Sequence, residues 1–150
     1  TSKLSDKRYF LISATFALKK ASHDEIQYAK GRSHEIIRHR RQRYPYKGTC
    51  GSFFRNFHPH EVTLESNGKK MIYAAYYLDK IGVKGTLQKD DAIVSHQHAN
   101  MIVNQGNATA KNIIDIAKIM QEKVFQEFGI TLQPECELLG FIEYPLLFKK

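Results

Sequence analysis

The segment Ala92–Asn104, AIVSHQHANMIVN, contains two short apolar runs, AIVS and NMIVN, on either side of a polar centre. Apolar, partly β-branched runs of this length predict short strands. The residues that follow predict a helix that is capped by Asn107 or Thr109 and stopped by Gly129. Its apolar stripe recurs at helical spacing: Ile113, Ile116, Met120, Val124 and Phe128.

Upstream of this segment, a second helix is predicted over residues 71–81, before Gly82. Its apolar residues also recur at helical spacing: Met71, Ile72, Ala75, Leu78 and Ile81. The preceding SNGKK, Ser66–Lys70, is a turn signal, with a helix and not a second strand expected after it. Downstream, ITLQPECELLGF, Ile130–Phe141, predicts a final strand in which Pro134 implies an edge or a bulge.

The first fifty residues predict one strand and one helix. RYFLISATFAL, Arg8–Leu18, is an apolar run typical of a strand. Ser22 and Glu25 have capping-box spacing, which predicts a helix from there to about Arg43. Strands and helices mix without strict βαβ alternation, so the sequence predicts an α+β fold, with helices packed on a mixed or antiparallel sheet.

Composition limits the class of protein. The chain has 150 residues, with 42% hydrophobic and 25% charged residues, which is typical of one globular domain. No apolar run is long enough to span a bilayer, so no membrane-spanning segment is expected. Two cysteines are too few for a disulfide scaffold, which favours a reducing, cytoplasmic location. The start at Thr1, without Met, suggests a piece of a longer protein.

Positive charge is concentrated in the first third of the chain. Residues 1–50 hold 12 Lys and Arg against 4 Asp and Glu, whereas residues 51–150 hold 11 of each. The excess is densest in RHRRQR, Arg38–Arg43. Such a cluster favours an anionic partner, which could be nucleic acid, a membrane surface or a phosphate-bearing small molecule, although a solvated helix face has the same composition.

The stretch TCGSFFRNF, Thr49–Phe57, carries the clearest chemical signal. It places a serine next to a glycine and supplies a guanidinium and an amide immediately afterwards. Two histidine pairs, His58 with His60 and His96 with His98, have strand spacing and could bind zinc, but no finger-like spacing supports a metal site, and none is expected. The sequence lacks Gly-x-Ser-x-Gly, Gly-x-Gly-x-x-Gly and a phosphate-loop pattern.

Four motifs in order resemble one family. GSFFRN, YLDKIGVKG, AIVSHQHANMIVNQGNATAKNI and FGITLQPECELLG cover most of residues 51–140. Together they resemble the C-terminal part of the UDP-N-acetylenolpyruvoylglucosamine reductases, and FLISATFAL less specifically resembles the last strand of that family's flavin domain. The resemblance implies that residues 1–20 end a preceding FAD-binding domain and that residues 21–150 form the C-terminal UDP-sugar-binding domain.

The resemblance also implies a reaction. In the family, NADPH reduces FAD, and the reduced flavin then transfers hydride to UDP-N-acetylglucosamine enolpyruvate, which becomes UDP-N-acetylmuramate, a peptidoglycan precursor. Expected partners are therefore the UDP-sugar and the N-terminal FAD-binding domains, with neither nucleic acid nor a membrane. Because charge develops next to the substrate carboxylate, the site needs a proton donor and electrophilic support.

The family's functional positions transfer to six residues here. Ser52 matches the proton donor and Glu135 the catalytic glutamate. Substrate-binding positions match Asn56, Arg43, Arg55 and His98. The family's third catalytic residue, an arginine of a Tyr-Arg-x-Ser motif, would lie just before Thr1 if Ser2 is the serine of that motif.

Two other functions remain open from the sequence. The chain could be a basic nucleic-acid-binding module in which Arg38–Arg43 contact phosphates and tyrosines stack on bases. It could also be a degenerate reductase domain that binds without catalysis. The departures from the family pattern, at Asp90, Asp91, Phe57 and residues 58–70, are expected to lie in loops, where they could change substrate binding or protein contacts without changing the chemistry.

Overall fold

The computed structural model describes residues 11–147, in two units that meet at Ile36 and Ile37. Helix α1 (His23–Arg43) runs through that boundary and has no buried residue. It begins at the predicted capping box, in which the Glu25 N–H donates to Ser22 Oγ at 3.3 Å and the Ser22 N–H donates to the Glu25 carboxylate at 2.8 Å. The predicted helix to about Arg43 is therefore confirmed.

Residues 11–18 correct one prediction. Residues 8–10 of the strand expected over Arg8–Leu18 lie outside the described part, and residues 11–18 form no regular secondary structure. Their large apolar side chains, Leu11, Ile12, Phe16 and Leu18, are 70–95% exposed. A strand is stabilised by hydrogen bonds to a neighbouring strand, and no described residue pairs with this segment. The assignment of residues 1–20 to a preceding flavin domain stays a prediction.

The unit from Ile37 onward contains the remaining elements. They are a 3₁₀ turn (Pro59–Glu61), β1 (Glu65–Ser66), β2 (Lys69–Lys70), α2 (Ala74–Lys80), β3 (Gln88–Lys89), β4 (Ala92–Val94), β5 (Ile102–Asn104) and α3 (Ala110–Phe128). Strands β3, β4 and β5 form an antiparallel sheet in which Ile93 lies opposite Gln88 and Val103. Helix α3 packs on β3 and β4, and α2 packs on α3. The predicted α+β class is confirmed, with antiparallel sheets.

Helix α3 follows its sequence signals closely. Its cap is Thr109, whose hydroxyl oxygen accepts the Asn112 N–H, and its C-cap is Gly129 in the left-handed conformation, φ 66°. The predicted stripe forms its inner face, where Ile116, Met120 and Val124 are completely buried. Gln121 is buried among them and donates from Nε2 to the Leu132 carbonyl at 2.8 Å, so it fixes the segment that follows the helix.

A second prediction, that no strand follows the turn in SNGKK, is wrong. Lys69 and Lys70 do form a strand, which pairs with Glu65 and Ser66. Asn67 and Gly68 have φ of 51° and 70°, as a two-residue hairpin loop with matching twist requires. The paired strands are only two residues long and exposed, so they carry no apolar alternation that could have predicted them.

A third prediction, the final strand over Ile130–Phe141, is also wrong. Residues 130–141 contain one isolated bridge, between Phe54 and Pro134, in place of the predicted strand. The Arg55 N–H donates to the Gln133 carbonyl at 2.9 Å, and the Glu135 N–H donates to the Phe53 carbonyl at 2.8 Å. Pro134 lies between these two hydrogen bonds, where its missing N–H is not needed for pairing with Phe54.

Candidate functional site

Ser52 lies on a short extended segment that is held from both sides. Ser52 forms a β-bridge with Met101 on one side, and Phe54, two positions further on, forms a β-bridge with Pro134 on the other. Gly51 immediately before it has φ 87°, a conformation that other residues rarely adopt. Phe53 and Phe54 are 2% and 0% exposed and anchor the segment in the core. The backbone position of Ser52 is thus fixed by these bridges and by the buried residues that follow it.

Asn100 secures the same segment through its side chain. Its Oδ1 accepts the Phe54 N–H at 3.0 Å, and its Nδ2 donates to the Phe54 carbonyl at 2.7 Å. Its own carbonyl accepts the Phe53 N–H at 2.8 Å. Asn100 is 2% exposed, so these groups have no access to water as an alternative partner. The asparagine that the family motif contains is therefore a positioning residue for the Ser52 segment, a role that the sequence did not indicate.

Glu135 reaches the same site from the end of the chain. The hydrogen bond from its N–H to the Phe53 carbonyl places it beside the Ser52 segment. A cleft of about 590 Å³ opens there, and it is lined by Arg40, Tyr44, Cys50, Gly51, Ser52, Met101, Glu135 and Cys136. The two residues predicted to be catalytic thus line one cleft, although 83 positions separate them in the sequence.

The end of helix α1 supplies the positive charge of this cleft. The Arg40 guanidinium lies 5.3 Å from the centre of the Tyr44 ring, a cation–π distance. Gln97 donates from Nε2 to the carbonyls of Arg41, at 2.7 Å, and Gln42, at 3.2 Å, which ties the helix end to the loop between β4 and β5. Arg43 contacts the same Tyr44 ring at 5.7 Å but does not line the cleft.

Gly48 fixes the connection between α1 and Ser52. The Asn104 N–H donates to the Gly48 carbonyl at 2.7 Å. Gly48 has φ 64°, and a Cβ at this position would collide with the Asn104 carbonyl oxygen. Only glycine therefore permits this close contact with β5.

His98 lies beside the cleft without lining it. Its ring is 5.2 Å from the Tyr44 ring, and its Nδ1 accepts the Asn100 N–H at 3.3 Å. Burial lowers the pKa of His98, and this outweighs the opposite effect of Asp79. A neutral ring is consistent with Nδ1 acting as an acceptor. His98 thus supports Tyr44 and Asn100, two residues that shape the site.

Arg55 and Asn56 are engaged with neighbouring protein groups. The Arg55 guanidinium makes a two-pronged ion pair with Glu61, at 2.6 and 2.8 Å, and also donates to the Asn56 carbonyl at 2.9 Å. Asn56 accepts the Ala74 N–H on its Oδ1 at 3.2 Å, at the start of α2. Neither residue lines the Ser52 cleft. The partner Glu61 was missed because residues 58–70 match no family motif.

Glu61→Gln is expected to lower the free energy of unfolding by about 1–3 kcal/mol at pH 7, since it breaks a charge-assisted, partly buried pair. Arg55 lowers the pKa of Glu61 to about 2. The stabilisation is therefore complete above about pH 4.3, where an unpaired glutamate is ionised, and is lost as the pH falls through about 2. Urea unfolding of both proteins between pH 7 and pH 2.5 measures this.

The control for this prediction is Glu65→Gln, which removes a more exposed carboxylate that pairs with Lys70 at 3.2 Å. Exposed pairs contribute about 0–1 kcal/mol. Equal losses for the two variants, or a loss for Glu61→Gln that does not shrink in acid, would contradict the assignment.

The described residues contain no side-chain cluster that supports the zinc hypothesis. His58 and His60 stack on each other, with ring centres 5.5 Å apart. Among residues 11–147, no group of three or more His, Cys, Asp or Glu side chains is arranged to hold a metal ion. None of the helices between residues 11 and 147 combines the length and the apolar composition that a membrane span requires.

Comparisons with known proteins agree with the order of the motifs. Residues 42–139 match the family described as UDP-N-acetylenolpyruvoylglucosamine reductase, C-terminal domain. The reductase of Anoxybacillus flavithermus is 34% identical over 142 residues, which are 93% of this chain and 42% of that protein. The reductase of Chloroherpeton thalassium is 34% identical over 135 residues, which are 89% of this chain and 41% of that protein.

A solved structure gives the same result. The crystal structure of the Thermus caldophilus UDP-N-acetylenolpyruvylglucosamine reductase superposes with a TM-score of 0.50 at 29% identity, over 77% of this chain and 36% of that one. The chain thus spans about two fifths of the length of the relatives it matches. It belongs to the family of UDP-N-acetylenolpyruvoylglucosamine reductase C-terminal domains.

Proposed function

We propose that this chain is the C-terminal, UDP-sugar-binding part of a cytoplasmic reductase that uses NADPH and FAD to convert UDP-N-acetylglucosamine enolpyruvate to UDP-N-acetylmuramate, a peptidoglycan precursor. The observation that carries this proposal is the cleft that Ser52, Glu135 and Arg40 line together. A hydroxyl, a carboxylate and a guanidinium in one cleft suit an anionic sugar substrate in which the carbon next to a carboxylate is to be protonated.

Ser52 is proposed as the proton donor. Once a hydride has been delivered to the enolpyruvyl group, negative charge develops on the carbon next to the carboxylate. A serine hydroxyl is a very weak acid, comparable to water. It can protonate such a strongly basic carbon, provided that it is held in place. The buried Phe53 and Phe54 and the Asn100 clamp supply that placement.

Glu135 and Arg40 are proposed to stabilise the substrate carboxylate and the negative charge that develops on the carbon next to it. Glu135 faces the same cleft as Ser52, where it can support the developing charge when protonated or organise a donor when ionised. Arg40 is held near this place by its contact with Tyr44. The sequence contains neither a dinucleotide-binding nor a phosphate-loop pattern, and we assign the FAD and NADPH sites mostly to the parts of the reductase outside this chain.

The substrate diphosphate is proposed to bind through the remaining predicted residues. The Oδ1 of Asn56 accepts the Ala74 N–H, so its amide nitrogen is the group that would donate to a phosphate oxygen. Arg43 adds positive charge at the end of α1, in the most basic part of the chain. Arg55 is paired with Glu61, so we propose that it holds Asn56 in place, and that His98 likewise supports Tyr44.

The reductase that contains these residues tests the proposal. It should copurify with flavin and consume NADPH in proportion to the UDP-N-acetylmuramate formed. The 150-residue chain alone should be colourless and should not oxidise NADPH. Flavin bound stoichiometrically by the isolated chain would contradict the domain assignment, and a reductase that binds the UDP-sugar without turnover would indicate a degenerate binding domain.

Arg40→Ala should weaken binding of UDP-N-acetylglucosamine enolpyruvate to the isolated chain about 10- to 100-fold, and Arg43→Ala should have a similar or smaller effect. The reason is the loss of a charge-assisted contact of about 1.5–3 kcal/mol. Titration calorimetry at two salt concentrations measures it. Arg32→Ala is the matched control, since Arg32 lies on the same helix and pairs with Glu35 at 3.8 Å.

The same titrations address the nucleic-acid alternative, which rests on the charge of Arg38–Arg43. If a single-stranded RNA binds much more tightly than the UDP-sugar at moderate salt, and if Arg32→Ala weakens it as much as Arg40→Ala, the basic helix is a nucleic-acid interface. If Arg40→Ala weakens binding of the UDP-sugar and Arg32→Ala does not, the result supports binding of the UDP-sugar in the cleft.

A further inference from the structure

The chain has two cysteines, and both line the cleft that holds Ser52 and Glu135. Cys50 precedes Ser52 by two positions, and Cys136 directly follows Glu135. We propose that Cys50 and Cys136 are a peroxide-sensitive thiol pair, which forms a reversible disulfide across this cleft and thereby closes it. No part of the proposed reduction of the UDP-sugar requires either thiol.

The fold brings the two thiols together from distant parts of the sequence. The pairing of Phe53 with Glu135 sets the register in which Cys136 lies opposite Ser52. Cys136 Sγ is 3.8 Å from the Phe53 carbonyl oxygen, which places it over the Ser52 segment. The bend at Gly51, φ 87°, precedes that segment on the side of Cys50. Cys136 is near enough to Cys50 to affect the pKa of its thiol directly, and both side chains line the same cleft, so a disulfide would join two residues that the fold already brings together.

The surroundings of Cys50 favour its reaction with a peroxide. Cys50 is exposed and Cys136 is partly buried. The hydrogen bond from Cys136 lowers the pKa of Cys50 to about 6, so at pH 7 it is largely the reactive thiolate. The other charged groups of the cleft are Arg40, which favours a thiolate, and Glu135, which opposes it. An exposed thiolate with a second thiol beside it is the arrangement of a reversible redox site.

The chemistry balances with hydrogen peroxide as the oxidant. The Cys50 thiolate attacks one peroxide oxygen, the O–O bond breaks, and hydroxide leaves and takes up a proton to give water and a Cys50 sulfenic acid. The sulfur of Cys136 then attacks the sulfenic sulfur, loses its proton, and displaces the second oxygen as water. Two thiols and one peroxide thus give one disulfide and two waters, and a dithiol reductant reverses the change.

The consequence for function rests on the proposed function. A disulfide between Cys50 and Cys136 would fix two lining residues of the cleft, one on each side of Ser52 and Glu135 in the pairing of these segments, and we expect it to narrow the cleft there. In a reducing compartment, such a bond is transient and serves as a sensor instead of a structural staple. Oxidation would therefore stop substrate binding until the disulfide is reduced.

The test is peptide mapping of the reduced 150-residue chain before and after treatment with a small excess of hydrogen peroxide. We expect a mass loss of two hydrogens, one crosslinked peptide that joins Cys50 to Cys136, and full recovery with dithiothreitol. Cys136→Ser should leave a Cys50 sulfenic acid that dimedone traps. Disulfide formation at least tenfold faster in the folded chain than in urea would support the claim that the fold brings the two thiols together. Sulfinic acid on either cysteine without a crosslink, or only dimers between chains, would overturn the proposal.

Binding of UDP-N-acetylglucosamine enolpyruvate by the reduced and the oxidised chain separates this proposal from the proposed function. Loss of binding at least tenfold on oxidation, restored by dithiothreitol and absent in Cys50→Ser, supports closure of the cleft. A disulfide that leaves binding unchanged overturns closure. A reduced chain that does not bind the UDP-sugar contradicts the proposed function, while the peptide map still decides the thiol pair.

Discussion

Ser52→Ala is expected to slow the reoxidation of reduced flavin by the enolpyruvyl substrate by about 10²–10⁴-fold in the reductase that contains this chain, the range typical of losing a positioned acid. The reduction of flavin by NADPH involves no substrate carbon, so that half-reaction should be unchanged. Substrate should still bind, because Arg40 and Glu135 remain in the cleft. Stopped-flow absorbance of the flavin separates the two half-reactions.

Two further variants make this result specific. Glu135→Gln should also slow the second half-reaction, since it removes the carboxyl group that lines the cleft beside Ser52. Ser66→Ala removes an exposed hydroxyl from the β1–β2 hairpin and should change neither half-reaction. Reoxidation of normal speed in Ser52→Ala would end the assignment of Ser52 as proton donor.

Asn100→Ala is expected to produce the largest loss of stability. It leaves both the N–H and the carbonyl of Phe54 without their side-chain partners in a buried place. Each such group costs about 1–3 kcal/mol, so the free energy of unfolding should fall by about 2–6 kcal/mol. That is a large share of the 5–15 kcal/mol typical of a domain. Urea unfolding followed by circular dichroism measures the difference.

The control for Asn100→Ala is Asn107→Ala. Asn107 is exposed, and its change should stay within about 0.5 kcal/mol. A loss below about 1 kcal/mol for Asn100→Ala would mean that water or a shifted backbone replaces the side chain, and that Asn100 does not hold the Ser52 segment.

Elements with strong local signals were predictable from the sequence. Helix α3 has a cap at Thr109, a left-handed glycine at Gly129 and an apolar stripe between them, and all three agree on one structure. Strands β4 and β5 are also confirmed. Their short apolar runs predicted strands, and the structure buries Ala92, Val94 and Ile102. Each of these predictions depends on residues that are neighbours in the sequence.

Elements whose stability comes from distant partners were not predictable. Residues 11–18 have the composition of a strand, but composition does not supply the neighbour that a strand requires. The segment around Pro134 looked like a strand because of its apolar residues, yet it makes one bridge to Phe54. The hairpin at Asn67 and Gly68 was missed because its strands are short and polar.

The candidate site shows the same division. Ser52 and Glu135 were predicted through a family resemblance, and the structure brings both to one cleft. Arg40 was missed, because within a run of basic residues only the direction of the helix end decides which side chain faces the cleft. Asn100 was missed because its role depends on Phe54, which is 46 positions away.

The central claim is that the UDP-sugar binds in the cleft between Ser52 and Glu135. It is tested most directly by NMR, as a titration of the ¹⁵N-labelled reduced chain with UDP-N-acetylglucosamine enolpyruvate. The largest amide shifts are predicted at the residues around the cleft, Gly51, Ser52, Met101, Glu135 and Cys136. A folded chain whose cleft amides stay unchanged at millimolar substrate, or whose shifts cluster at the distant β1–β2 hairpin, would contradict the claim.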